Sequence, residues 1–115
     1  MGGNVDRSRY TFNGTGKYWK STLGQKIIDT YLSQNKDLSY DDIKKTFPDS
    51  MLNGVPGPGL IVKEGVDLGS YSRYYKSGYT SSDGINYSVY KQWTIGNIQA
   101  IIEFAKKQNW SVEKL

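Results

Sequence analysis

The chain has 115 residues and a net charge of +4, from 15 Lys and Arg against 11 Asp and Glu, a length that suits one domain with a core needing no metal or disulfide staple. It contains no cysteine and no histidine, which excludes a disulfide framework, a thiolate nucleophile, a zinc site of the usual Cys/His type and any Ser-His or Cys-His relay. Three Trp, three Phe and ten Tyr make the chain too aromatic for disorder, and the cationic excess permits a polyanionic or acidic partner without requiring one.

Residues 1–8 are polar and glycine-rich and are expected to be disordered, leaving 9–115 as the domain. The opening "MGGNVDRSRYTF" has no secretory apolar segment, and no run approaches the ~20 apolar residues of a bilayer span, so no membrane contact and a cytoplasmic location are expected. From Arg9, aromatic and polar positions alternate around Asn13-Gly14, a dipeptide that tolerates positive φ and favours a tight hairpin turn. A short strand near 9–12 is predicted, followed by a turn that brings Tyr18 and Trp19 onto the next element.

The first helix is predicted to start at Ser21 or Thr22, with Thr22 and Gln25 spaced as a capping box and Leu23, Ile27, Ile28, Tyr31 and Leu32 on one face. In "LSYDDIKKTFP", Ser39 is the predicted N-cap and Asp42 its capping-box partner, Leu38 and Ile43 form a hydrophobic staple, and Pro48 ends the helix after Phe47. These two helices are expected to pack as an αα unit. "NGVPGPG" reads as loop, "LIV" at 60–62 as a strand, and 63–84 as a long irregular segment with at most one edge strand. "INYSVYKQW", 85–93, alternates well enough for a half-buried strand.

The last helix is predicted over 95–108, with Thr94 as its cap, and Ile98, Ile101, Ile102 and Ala105 are expected to face inward with Phe104 at the edge. Lys106 and Lys107 suit the negative end of the dipole, Asn109 takes a left-handed closing position, and Trp110 and Val112 return to the core. Trp93, Gly96 and Asn97 read as a strand-to-helix corner: the indole buries, Gly96 permits close approach and Asn97 bonds backbone.

For chemistry, "NGTGKYWKST" places Gly14, Gly16, Lys17 and Ser21 at the wrong spacing for a phosphate loop, and a turn explains its glycines. "YSRYYKSGY" interleaves Tyr71, Tyr74, Tyr75 and Tyr79 with Arg73 and Lys76, a composition that can stack bases and meet phosphates in single strands. The bland alternative is a surface loop whose tyrosines lie on the core. Lys44 and Lys45, with Lys17, Lys20 and Lys26, could form a second phosphate-facing surface, although Asp41 and Asp42 would repel phosphate at the start of that helix, and a solvated charged face is the more common explanation of such lysines. Asp41 and Asp42 are explained by capping, Asp49, Asp67 and Asp83 fall in turn-like segments, and Glu64 near a strand has no partner at a telling spacing, so a metal-dependent nuclease is not suggested.

"SYDDIKKTFPDSM" and "YSVYKQWTIGNIQAIIEFAKKQNWSVE", with "SRYTFNG" before them, together resemble a small uncharacterised bacterial module. Its pattern runs helix, L/I-K-x-x-F-P-D, an irregular insert, a strand, then Q-W-G-x-G-N-I-x-x-F-I-x-x-A-K-x-x-G-Y. The chain departs from it at Thr94 and Asn109, where the pattern has Gly. The resemblance implies a context of restriction-type and mobile-element proteins, hence of nucleic acid, and no catalytic motif.

These readings converge on one α+β domain, a small antiparallel sheet packed against two or three helices. The expected function is non-catalytic binding of DNA or RNA through Arg73, Tyr74, Tyr75 and Lys76, then Lys44 and Lys45, with no metal, cofactor or small-molecule substrate. The alternative is a protein-interaction or regulatory module of a larger bacterial defence or mobile-element protein, which would present an exposed apolar or aromatic patch.

Overall fold

In the structure, a computed structural model that describes residues 8–55, 57–68, 73–75 and 79–115, the chain is an α+β domain with antiparallel strand pairing throughout. Strand β1 (Tyr10–Phe12) turns at Asn13 and Gly14, with φ of 51° and 80°, into β2 (Thr15–Tyr18). Both turn residues in the left-handed region give the primed turn whose twist matches the two strands. The pairs Phe12↔Thr15 and Tyr10↔Tyr18 leave one residue of β1 opposite two of β2, so Gly16, at φ 78°, sits in a bulge. Tyr10 and Phe12 point inward and are buried, while Thr11 faces out.

Helix α1 (Lys20–Gln34) starts earlier than the Thr22–Gln25 spacing predicts. Trp19 occupies the cap position with no side-chain cap bond, and the Thr22 hydroxyl donates back to the Trp19 carbonyl at 3.1 Å. Leu23, Ile27 and Ile28 form its buried face. Helix α2 (Tyr40–Thr46) has the predicted box: Ser39 Oγ accepts from Asp42 N at 3.1 Å, and Asp42 Oδ2 accepts from Ser39 N at 3.3 Å. A 3-10 turn over Asp49–Leu52 follows Pro48.

The main helical neighbour of α1 is α3 (Ile98–Lys107), rather than α2 as an αα unit would require. The rings of Tyr31, Phe47 and Phe104 tie the three helices together, with centroids 4.9 to 5.7 Å apart. A turn at 94–97 leads into α3: Thr94 Oγ1 accepts from Gly96 N at 3.3 Å, Asn97 Oδ1 accepts from Thr94 N at 2.8 Å, and Asn97 holds the cap position. After α3, Asn109 at φ 65° reverses the chain so that Trp110 meets Phe12 edge-on at 5.6 Å.

The strands divide into two sheets of three rather than one. In the first, β6 (Val112–Lys114) pairs with β1 on the side opposite β2, giving the order β2-β1-β6. In the second, β3 (Ile61–Lys63) and β4 (Tyr74–Tyr75) flank β5 (Tyr87–Tyr90). All four residues of β5 are buried, so both faces of this central strand are covered where alternation suggested one. No helix among the described residues is long and apolar enough to cross a membrane.

Candidate nucleic-acid interface

Among the described residues, Tyr74, Arg73, Lys44 and Lys45 differ in their surroundings. Tyr74 is only 4% exposed, its hydroxyl donates to the Gly59 carbonyl at 2.6 Å, and its ring meets Tyr90 edge-on at 5.5 Å. Burial raises its pKa, with the neighbouring Tyr90 adding to the rise. Tyr74 is therefore a core residue and its ring is closed to a base, a correction to its assignment as a stacking side chain. Arg73 is half-buried, and its carbonyl accepts from Lys91 N at 2.8 Å, which extends the β4–β5 ladder. Tyr75 continues β4 in backbone, but its side chain lies outside the described residues, as do Tyr71 and Lys76.

Lys44 and Lys45 are neighbours with different surroundings. Lys44 Nζ donates to Asp49 Oδ1 at 3.2 Å and to the Ile61 carbonyl at 2.9 Å, and Asp49 Oδ1 also accepts from Leu60 N at 3.0 Å. The pair closes backbone groups at the β3 edge, so the Lys44 charge is engaged in the fold. Lys45 is exposed and carries no such contact among the described residues. Lys20 is buried at the start of α1 and does not extend a cationic surface with Lys17 and Lys26, which are exposed.

A cation and an aromatic ring do meet, but at the other end of the chain. The Arg9 guanidinium lies 4.1 Å from the centroid of the Trp19 ring, and Trp19 remains 42% exposed. One step beyond the Tyr10↔Tyr18 pair, the bulge at Gly16 slides Trp19 opposite Arg9. A bulge-free count outward from Asn13-Gly14 would instead set Arg9 against Tyr18, which is why the sequence did not disclose the contact. Lys17 sits exposed in the bulge itself. Lys26 follows Trp19 two turns along the α1 surface. A planar guanidinium over an open indole can offer phosphates a charge and a base a stacking surface.

Two grooves flank Tyr79, of about 400 and 420 Å3. One runs past Lys63, Glu64 and Asn86, and the other past Gln25, Asp29 and Lys36. The Tyr79 hydroxyl donates to Asp29 Oδ1 at 2.7 Å, and burial raises the Asp29 pKa against the opposing pull of that bond and of Lys26. Burial, with the Asp29 charge second, pushes the Tyr87 phenol up to about 12. Among the described residues no group of three or more acids converges as a metal site would require. No family model, curated protein or solved structure matches the chain.

Proposed function

We propose that the chain is a non-catalytic nucleic-acid-binding module that takes single-stranded DNA or RNA on the outer side of the β1–β2 hairpin and the adjoining start of α1. The observation that carries this reading is the Arg9 guanidinium stacked 4.1 Å from an indole that is still open to solvent. Arg9, Lys17 and Lys26 meet phosphates, while Trp19 stacks a base, a contact of ~1–3 kcal/mol in such sites. The net charge of +4 supports the same partner class. The sequence resemblance to a module of restriction-type and mobile-element proteins points to the same context.

The test is titration of the purified protein with single-stranded and duplex oligonucleotides at low and moderate salt. Salt-sensitive binding that favours the single strand is expected, weakened about ten-fold or more by Trp19→Ala, given the size of a stacking contact, and little changed by Lys45→Ala. Absence of salt-sensitive binding to either form removes the reading. Binding that Trp19→Ala leaves intact removes the hairpin as its site.

A further inference from the structure

We propose that the open edge of β6 and the groove beside it form a second docking site, which takes an extended acidic segment of a partner protein as an added strand. The hydrogen bonds Asn13 N to Ser111 O, at 2.8 Å, and Leu115 N to Arg9 O, at 2.8 Å, fix which residues of this strand face β1. The alternate residues, Val112 and Lys114, turn their amide and carbonyl groups away from β1. Those groups have no hydrogen-bond partner among the described residues, because β6 is the last strand of its sheet.

A strand added ~4.8 Å outside β6 would place alternate side chains on the same face as Val112 and Lys114. That face holds a groove of about 270 Å3 between the sheet and α3. Ile98, Ile102 and Val112 line it, and Ile95, 60% exposed, stands at its side. Lys106 and Lys114 line it as well, and neither side chain has an ion pair or hydrogen bond among the described residues. Backbone pairing supplies affinity in this mode, and the groove supplies selectivity. Apolar side chains beside the isoleucines and a carboxylate between the lysines complete the match. The charge argues against a second copy of this chain as occupant, since each copy carries +4.

The probe is a short synthetic peptide whose alternate positions run valine, valine, glutamate with threonine between them, compared with one carrying lysine for the glutamate. Binding of the first peptide is expected to slow amide hydrogen exchange at Val112 and Lys114, and the lysine peptide should bind several-fold more weakly. Lys114→Pro removes one outward amide while sparing the β1 ladder, and should abolish binding. Lys106→Glu, which sets one carboxylate against the remaining Lys114, should remove the preference between the peptides without touching the edge, and Arg9→Ala should leave peptide binding unchanged. Unaltered exchange at both amides under excess peptide overturns the proposal, as does equal affinity for the two peptides. Protection of the same amides by concentration-dependent dimerisation, without peptide, also overturns it and assigns the edge to a second copy.

Discussion

At Gly24 the missing side chain is what lets Trp93 bury. A Cβ built there collides with Cδ1 and Nε1 of the indole, which is 4% exposed and whose Nε1 has no hydrogen-bond partner among the described residues. Inside a helix, alanine ordinarily exceeds glycine by about 1 kcal/mol in stability. Here overpacking, typically ~1–3 kcal/mol and occasionally more, should win. Gly24→Ala is expected to lower the urea midpoint, and to cost less in a Trp93→Phe background, a coupling that a double-mutant cycle measures. Additive effects would mean the indole does not meet that position. The sequence placed the close approach at Gly96, yet a Cβ there meets only Thr94 Oγ1 at 3.6 Å, an ordinary contact. That Trp93 buries could be read locally; which glycine receives it depends on a helix about seventy residues earlier. Asp29 makes stability depend on pH. Its folded pKa is raised, so the native state binds a proton more readily than the unfolded chain. Its unfavourable charge is present at neutral pH and is relieved as pH falls through the folded value toward 3.8. Asp29→Asn, which keeps an acceptor for Tyr79, should hold or raise stability at neutral pH and flatten its acid dependence in denaturant titrations; a clear loss would contradict this.

Among elements, the β3 edge depends on side chains for backbone groups that no strand pairs. The Lys44–Asp49 ion pair is partly exposed, with side chains 32% and 55% accessible, so its Coulomb energy in water is small. The larger effect is loss of the partner of Leu60 N when Asp49 is removed, ~1–3 kcal/mol if that group stays buried. Removing Lys44 leaves the Ile61 carbonyl only the longer bond from the Tyr40 hydroxyl, at 3.5 Å, so its cost is smaller. Asp49→Ala and Lys44→Ala should therefore destabilise in urea titrations, whereas Lys45→Ala should stay within ~0.5 kcal/mol. The second sheet also carries an alkaline liability. Burial raises the phenol pKa of Tyr74, Tyr87 and Tyr90, that of Tyr87 from 10.0 to about 12. The unfolded chain then ionises first, so stability is intact below pH 10 and falls as pH rises toward 12. Tyrosinate absorbance and circular dichroism should change together across that window. Local signals were legible here: the Ser39–Asp42 box, the Asn13-Gly14 turn and the inward face of α3 each lie within a few residues. The strands β2 and β6 were not, because TGKY and VEK are short, polar and defined only by pairing to β1. Tyr74 was misread for the same reason, since its ring is covered by Tyr90 from a neighbouring strand.

Over the whole molecule, the cations divide by what surrounds them. Lys44 is held by Asp49 and Lys20 is buried, while Arg9 lies over an open indole, Lys17 and Lys26 are exposed on the adjoining β2 and α1, and Lys106 and Lys114 line the groove beside α3. Two surfaces with different partners are therefore expected, one read by phosphate and stacking, the other by strand addition. Binding at the first releases counterions, so affinity falls linearly on a log–log plot against salt, and each lost phosphate contact lowers the slope by about 1. The most direct measurement is that slope for a single-stranded oligonucleotide, in the native protein and in Arg9→Ala and Lys17→Ala variants. A shallower slope in both variants is the predicted result. A slope of zero in the native protein, or one that neither substitution changes, would contradict the hairpin as a polyanion-binding surface.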